Sequence, residues 1–444
     1  MRLSRCCTWL MGIVVMNLSA QPTPDLSFEI HNPVRQYSKV KCRMLLSGPN
    51  GEMLSKVAHI LRFDLEFSDQ LDVDLGSYTG PIGAAVLKKL FDEGTLLCVQ
   101  VRHLTKNATQ DELNLMVKET SAGTVLFEKT VPLQRALLIH TIHALSDEVL
   151  PLLTGKKGPM LSSLAYCKSI SSRHKVVCVA DYACKLEKIV AQAKTINTAP
   201  RWHSQAPVLF YSQFTRNNGR LMSCDMKTRQ HKVVCSFDGL NMQPSFSPDG
   251  TKAVLCLSGK QNSEIYFYDQ IESKSNKKRT FKPLTHNGGN NSSPCFLPNG
   301  DVVFCSDFES RFPQLYLLQG SSHRVTRITN GCGYCAAPSY CRQTNAVVYT
   351  RYVDGVFQLC FVDLSVKPYK ERQLTRCGGD KTDPSWSECG GYVAFAYNYI
   401  DPATKKRFNQ IAILNLLSGK IRVVTTGNEP KSFPVWTSRA LYMS

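Results

Sequence analysis

The stretch that decides the fold is PSFSPDGTKAVL, residues 244–255, where two short β-type segments flank a Pro-Asp-Gly turn. A proline followed two residues later by an aromatic residue occurs six times at similar spacing. These prolines are Pro200, Pro244, Pro294, Pro338, Pro384 and Pro434, at intervals of 44, 50, 44, 46 and 50 residues. A period of this length is typical of the blades of a β-propeller.

Each repeat unit carries four β-type segments separated by turns. In the unit that starts at Pro244 they are PSFS, AVLCL, EIYFYD and KPLT. Nine residues before each repeat proline we expect a strand to end, at positions that are Ala191, Cys235, Thr285, Thr329, Thr375 and Thr425. Four short strands per unit favour a propeller over a solenoid, and radial closure removes exposed sheet edges.

The two ends of the repeat region are expected to share one blade. LAYC, HKVVCVAD and LEKIVA precede the first full unit, and SFPVWTSRALYMS ends the chain. ALYMS and LAYC compete for the same strand position, and the sequence does not decide between them. The predicted fold is therefore a small α/β N-terminal domain over residues 21–160, followed by a six-bladed β-propeller over residues 161–444. Each blade has four antiparallel strands, and both ends of the propeller segment close the ring.

The part before residue 160 lacks the repeat and reads as α/β. GEMLSKVAHILRFDLEFSDQLDV, GAAVLKKLFDEG and RALLIHTIHALSDEVLPLLTG have the apolar spacing of helices, the last ending at Gly155. TLLCVQVRHL, DELNLMVKET and GTVLFEKTVPL are typical of strands. His140 and His143 share a helix face, but without a third ligand we expect packing or capping roles for them.

The first twenty residues have the pattern of a secretory signal peptide: Arg2 and Arg5, an apolar run, and Leu18-Ser19-Ala20 at the cleavage site. The apolar run is shorter than a membrane span, and no later segment is expected to span. The formal charge of +18 becomes +16 without the two arginines. A basic exported protein attracts anionic lipids, acidic polymers or acidic partners, although a solvated basic surface is the simpler explanation. No motif indicates nucleic-acid binding.

Cysteine is frequent, with 18 in the chain and 16 outside the signal peptide. Several lie inside apolar runs and are expected to be core thiols. Cys332 and Cys335 form a C-x-x-C pair, but a strand rather than a helix follows them. A helix N-terminus is what depresses the thiol pKa in redox proteins, so we favour a structural disulfide or simple rim residues over redox catalysis. No second pair completes a zinc site, and we expect no metal, cofactor or catalytic residue.

The architecture resembles the TolB family of the Tol-Pal cell-envelope system. HALSDEVLPLLTGKKG, residues 143–158, is similar to the family's interdomain helix and linker, SFSPDGTKAVL to its blade motif, and FPVW to its closing strand. LPNG, CRQT and SECG depart from the family's blade turn, as do the many cysteines. The resemblance implies a periplasmic, non-enzymatic, monomeric adaptor. It implies binding of the lipoprotein Pal at the propeller mouth, hence peripheral outer-membrane association, and of TolA through the N-terminal segment, in support of cell division.

Two sets of residues are predicted to bind partners. The connection into each inner strand should run beside the central channel, which places these residues at the mouth: Thr198, Asn241, Gln243, Asn291, Ser292, Lys381, Asp383 and Lys431. In residues 21–30 the alternation suits a strand added to another protein's sheet edge, through Asp25, Leu26, Phe28 and Ile30. Alternatives are a propeller that binds a small ligand, glycan or anionic lipid and, less favoured because no G-x-S-x-G occurs, an enzyme.

Overall fold

The computed structural model describes residues 39–49, 51–78, 80, 82–107, 110–216, 218–258, 262–269, 280–331, 333–400 and 404–443. The predicted signal peptide and the segment 21–30 lie outside the described residues. The chain divides into two compact units, one covering residues 33–161 and the other residues 162–442.

The first unit is a mixed sheet with three helices. Its helices are α1 (Gly51–Phe67), α2 (Ala84–Asp92) and α3 (Leu138–Thr154). Its strands are β1 (Val40–Ser47), β2 (Leu71–Ser77), β3 (Leu97–Asn107), β4 (Gln110–Glu119) and β5 (Val125–Pro132). The sheet order is β2-β1-β3-β4-β5, with β1 parallel to both neighbours and the remaining pairs antiparallel. This is the small α/β region that the sequence predicts.

Helix α3 shows how apolar periodicity positions an element here. Ile142, Leu145 and Val149 are buried on one face, and Gly155 ends the helix in the left-handed conformation, with φ of 71°. A side chain resists that conformation, so glycine is the favoured residue there. Residues 135–154 are long and apolar enough to cross a membrane by length and composition, which corrects the expectation that no later segment would be. Core helices of soluble domains share this property.

The second unit is built from strands β6–β29. They are β6 (Ser163–Ser171), β7 (His174–Asp181), β8 (Glu187–Ala191), β9 (Ile196–Trp202), β10 (Val208–Phe214), β11 (Gly219–Asp225), β12 (His231–Cys235), β13 (Asn241–Phe246), β14 (Lys252–Ser258), β15 (Ser263–Asp269), β16 (Phe281–Pro283), β17 (Asn291–Phe296), β18 (Val302–Ser306), β19 (Gln314–Leu318), β20 (Val325–Arg327), β21 (Cys335–Cys341), β22 (Ala346–Val353), β23 (Val356–Asp363), β24 (Lys370–Gln373), β25 (Asp380–Trp386), β26 (Tyr392–Ile400), β27 (Arg407–Asn415), β28 (Ile421–Val423) and β29 (Lys431–Thr437).

These strands pair as antiparallel sheets of four. Four sheets are separate: β13–β16, β17–β20, β21–β24 and β25–β28. A larger sheet contains β9–β12 together with β29, β6, β7 and β8, and its two halves meet where Lys175 of β7 pairs with Ile196 of β9. Strand β6 contains LAYC and pairs with β29, whereas Leu441–Met443 forms a 3-10 turn. LAYC therefore takes the strand position for which the two segments compete.

The repeat prolines all lie in the first strand of a set: β9, β13, β17, β21, β25 and β29, which we call the proline strands. A proline breaks the hydrogen-bond ladder because it has no N–H, so in sheets it is confined to edges and bulges. Every proline strand has a register shift at its proline. The preceding residue has a positive φ between 50° and 54° in each case, at Ala199, Gln243, Ser293, Ala337, Asp383 and Phe433.

In each of four sheets, a threonine after the last strand accepts a hydrogen bond from a backbone N–H of the neighbouring strand. The side-chain oxygen of Thr329 accepts the Leu315 N–H at 3.1 Å and donates to the Gln314 side chain at 2.9 Å. The Gln314 amide then donates to the Gly333 carbonyl oxygen in the connection to the next proline strand, at 2.6 Å. Thr375 and Thr425 repeat this arrangement, and Thr285 accepts the Ile265 N–H. The sequence predicts that these threonines end their strands. In the structure each of them lies two residues after the last residue of the strand.

Neighbouring proline strands are joined by the residue that follows each proline. The Phe296 N–H donates to Ser245 Oγ at 2.9 Å, and the Trp386 N–H donates to Ser339 Oγ at 3.0 Å. The Trp436 N–H donates to Ser385 Oγ at 3.1 Å. The serine hydroxyl thus satisfies a backbone donor that the bulge leaves without a ladder partner.

Replacing Ser385 with alanine is expected to lower the free energy of unfolding by about 1–2 kcal/mol. The reason is that the buried Trp436 N–H loses its acceptor. Urea denaturation of the purified protein measures the effect. Ser172→Ala, in the exposed turn between β6 and β7, is the control and should change the free energy by less than about 0.5 kcal/mol. Equal effects of the two substitutions would contradict the proposed link between strands.

Candidate functional site

One cavity of about 290 Å³ is lined by residues of all six proline strands. Its wall includes five of the six repeat prolines and five of the aromatic residues two positions later, together with serine, threonine and charged side chains. The aromatic residues are Trp202, Phe246, Phe296, Tyr340 and Trp436, from five different strands. A concave site that combines aromatic walls with polar groups is suited to binding. The cavity is therefore the candidate functional site.

Arg201 and Asp383 line this cavity with opposite charges, and Glu388 lines it at an exposed position. Arg201 follows the first repeat proline, and Asp383 precedes the fifth. Burial raises the pKa of Asp383 to about 6, although the nearby Arg201 charge opposes the shift. Burial likewise lowers the pKa of Arg201, and Asp383 partly offsets this. Both effects are those expected where low dielectric disfavours charge. The electrostatics of the cavity therefore depend on this pair.

The predicted mouth residues fall into two groups in the structure. Asn241, Asn291, Lys381 and Lys431 occupy the same position, three residues before a proline, and all are buried. Asn241 Nδ2 donates to the carbonyl oxygens of Phe237 at 2.7 Å and Gly219 at 3.1 Å. Asn291 Nδ2 donates to Glu264 Oε2 at 2.7 Å. These side chains hold the connections between sheets together.

The two lysines perform the same task with an ammonium group. Lys381 Nζ donates to the carbonyl oxygens of Cys377, Gly378 and Gly379, the last two at 3.0 and 2.7 Å. Lys431 Nζ donates to the carbonyl oxygens of Thr426 at 2.8 Å and Glu429 at 3.0 Å. Charge reversal at Lys381 should therefore disturb the fold and not only the mouth.

The other predicted mouth residues have different surroundings. Gln243 is buried, and its Oε1 accepts the N–H and the hydroxyl of Ser293, both at 3.1 Å. Thr198 is buried and Ser292 is half-buried. Of the eight predicted residues, Asp383 alone belongs to the described lining of the cavity. Partner binding by these residues stays a prediction, as does binding by Asp25, Leu26, Phe28 and Ile30, which lie outside the described residues.

Sequence reasoning missed Arg201 and the serines that follow three of the prolines. The signal was present, because the residue after each proline occupies a repeat position: Arg201, Ser245, Cys295, Ser339, Ser385 and Val435. Four of these six are serine or cysteine. Strand β9 differs from these four because Arg201 follows its proline.

The second thiol of the C-x-x-C pair, Cys335, does not have the lowered pKa of a redox cysteine. Cys335 begins β21, is buried, and is a free thiol. Burial raises its pKa to about 12, whereas a redox cysteine needs a depressed pKa. Cys332 lies outside the described residues. All 15 cysteines within the described ranges are free thiols, so the prediction of core thiols describes them better than a disulfide framework does.

The histidines of α3 do not gather metal ligands. His143 Nδ1 lies 2.8 Å from Asp64 Oδ2 of α1, and both side chains are buried. Burial and the neighbouring His143 lower the pKa of His140. Within the described part of the chain, no group of three or more His, Cys, Asp or Glu side chains is placed to hold a metal ion. The helix face therefore serves packing.

Four-stranded sheets around a shared cavity, following an α/β unit, define a β-propeller protein with an N-terminal α/β domain. The model of the TolB β-propeller domain matches residues 151–437, and the chain belongs to this family. Tol-Pal system protein TolB of Helicobacter pylori is 22% identical over 319 residues, 70% of this chain and 72% of that protein. The TolB of Francisella tularensis subsp. mediasiatica is 26% identical over 318 residues, 68% of this chain and 71% of that protein.

A solved structure shows the same fold over nearly the whole length. The crystal structure of TolB from Acinetobacter baumannii is similar with a TM-score of 0.75 at 20% identity. The similarity covers 93% of this chain and 98% of that chain. The α/β unit and the propeller thus occur together in that protein too.

Proposed function

We propose that this protein is a periplasmic, non-enzymatic adaptor of the Tol-Pal system. In this proposal the propeller has six blades of four strands, closed where β29 pairs with β6. Its mouth binds the lipoprotein Pal, which brings the protein to the outer membrane, and its N-terminal segment binds TolA. The protein acts as a monomer and supports outer-membrane integrity and constriction during division.

The observation that supports this proposal most is the cavity that all six proline strands line, in a chain of the TolB family. The relatives from two organisms are named Tol-Pal system proteins, and more than two thirds of their length is matched. An adaptor needs surfaces that bind its partners and does not need catalytic side chains. The cavity wall combines aromatic rings and prolines with polar side chains, which suits the insertion of a partner side chain or loop.

A pull-down tests the adaptor function directly. The purified mature chain serves as bait in an envelope extract, and we expect it to retain a peptidoglycan-bound lipoprotein and TolA. Deleting residues 21–30 should abolish TolA binding and spare Pal binding, because the two sites are separate. Loss of both partners, or of neither, would contradict the proposal.

A matched pair of charge reversals tests the mouth. Asp383→Lys should weaken Pal binding at least tenfold because the longer lysine side chain occupies space in the cavity that the partner would fill. Asp92→Lys, the same change at an exposed end of α2, should leave binding unaltered. Equal affinity of both variants for Pal would place the binding site elsewhere. A propeller that binds a small ligand, glycan or anionic lipid instead would retain no lipoprotein on the bait.

A further inference from the structure

The guanidinium group of Arg201 has most of its hydrogen-bonding capacity free. Arginine carries five N–H donors. Arg201 Nη1 donates to the Pro200 carbonyl oxygen at 2.8 Å, and this is its one side-chain hydrogen bond within the described ranges. Among the described residues, no acidic group lies within 4.0 Å of it. A cation that is removed from bulk water is costly unless an anion or hydrogen-bond acceptors compensate it.

Trp436 also contributes to the wall of the cavity. Its Nε1–H is buried, so a ligand in the cavity does not reach it. The tryptophan therefore shapes the site, and Arg201 is the donor that a ligand can use.

Asp383 determines how much of the Arg201 charge is available. Its pKa of about 6 makes the carboxyl group neutral in mildly acidic solution and charged at alkaline pH. The other titratable groups that line the cavity are His203 after β9, Cys295 of β17, Tyr340 of β21 and Glu388 after β25. Burial raises the pKa of both Cys295 and Tyr340, which keeps them neutral, and Glu388 is exposed. The cavity thus becomes more positive as the pH falls.

We propose that the cavity binds a carboxylate group, with Arg201 as the donor and Asp383 as the acid that takes up a proton from solvent on binding. Arginine matches carboxylate geometry with two parallel N–H donors. A protonated Asp383 adds a further donor, whereas an ionised one repels the ligand. The carboxylate belongs either to a small free acid or to an acidic side chain of a protein partner. The second case rests on the proposed adaptor function.

Formate is a suitable probe because it is small and stays ionised in mildly acidic solution. Two of the four tryptophans of the chain line the cavity, so intrinsic fluorescence reports binding, with sodium chloride at equal ionic strength as the blank. Because the site requires a protonated Asp383, we expect binding to be at least tenfold weaker at about pH 8 than at about pH 5. No change beyond the chloride blank at the lower pH would overturn the proposal.

Three substitutions separate the site from unspecific effects. Arg201→Gln should weaken formate binding at least tenfold at about pH 5, whereas Arg220→Gln, an exposed arginine of β11, should not change it. Asp383→Asn should abolish the pH dependence and restore tight binding at about pH 8, a gain that misfolding does not produce. His203→Gln should keep the pH dependence. Retained binding in Arg201→Gln, or an unchanged pH profile in Asp383→Asn, would refute the assignment.

Competition identifies the source of the carboxylate. If a partner supplies an acidic side chain, saturating formate should weaken Pal binding to the wild-type protein and not to Arg201→Gln. If the ligand is a free acid, formate should bind while Pal affinity stays unchanged. Formate binding does not require any partner, so failure of the adaptor function and failure of this site give different results.

Discussion

Lys381→Ala is expected to lower the free energy of unfolding by about 3–5 kcal/mol. The side chain is fully buried, and its ammonium group donates to three consecutive backbone carbonyl oxygens, of Cys377, Gly378 and Gly379. The charge also lies 5.3 Å from the centre of the Tyr397 ring. Removal of the side chain leaves the Gly379 carbonyl oxygen without its donor, which costs about 1–3 kcal/mol. The Cys377 and Gly378 carbonyl oxygens keep the Gln358 amide and the Tyr397 hydroxyl as donors. The rest of the loss comes from the cavity that alanine leaves at this buried position.

Other proline strands have asparagine at the position of Lys381, which suggests Lys381→Asn as a comparison for Lys381→Ala. Asn197, Asn241 and Asn291 occupy the equivalent position, and their amides donate to carbonyl oxygens of their own connections. Lys381→Asn should therefore recover at least half of the stability that Lys381→Ala loses. Urea denaturation curves give the values, and Lys282→Ala, an exposed lysine of β16, is the control. Equal losses for alanine and asparagine would show that hydrogen bonding at this position contributes little.

The strands of the propeller were predictable because their signals are local and repeated. A proline at a bulge and an aromatic residue in the cavity wall are both fixed by the backbone of the proline strand, so they keep one spacing through six units. Strand β1 was not predicted, and the start of β2 was assigned to the helical stretch that begins at Gly51. Leu71 to Asp74 alternate between buried and exposed, so β2 does carry the signal of a half-exposed strand. The predicted helical stretch ran past the end of α1 at Phe67 and covered the first residues of β2.

The cavity residues were harder to predict than the strands. Lysine is rarely buried, so the sequence placed Lys381 and Lys431 on the mouth, whereas the structure places them inside connections. The spacing located the right loops, but it did not show whether a side chain turns into its own loop or toward the channel. That choice depends on carbonyl oxygens several residues away, and no periodicity in the sequence encodes their direction.

The buried pair between α1 and α3 is expected to have the second large effect on stability. Asp64 and His143 are both almost inaccessible, and their side chains are joined at 2.8 Å. Asp64→Leu should lower the free energy of unfolding by about 3 kcal/mol because it leaves the histidine without its buried acceptor. Asp64→Asn keeps an acceptor oxygen and should cost less than half as much.

A double-mutant cycle with His143→Leu decides whether the pair acts as one unit. Replacing both partners with apolar residues removes the unsatisfied groups together, so the double variant should lose less stability than the sum of the single variants by at least about 1 kcal/mol. An exposed pair serves as control: Lys129 Nζ and Glu148 Oε1 of α3 are 2.6 Å apart, and Glu148→Ala should cost less than about 1 kcal/mol. Additive effects at Asp64 and His143 would mean that each is held by other contacts. In that case α1 and α3 are joined by their apolar faces, with Leu61, Leu65, Leu145 and Val149 as the buried core.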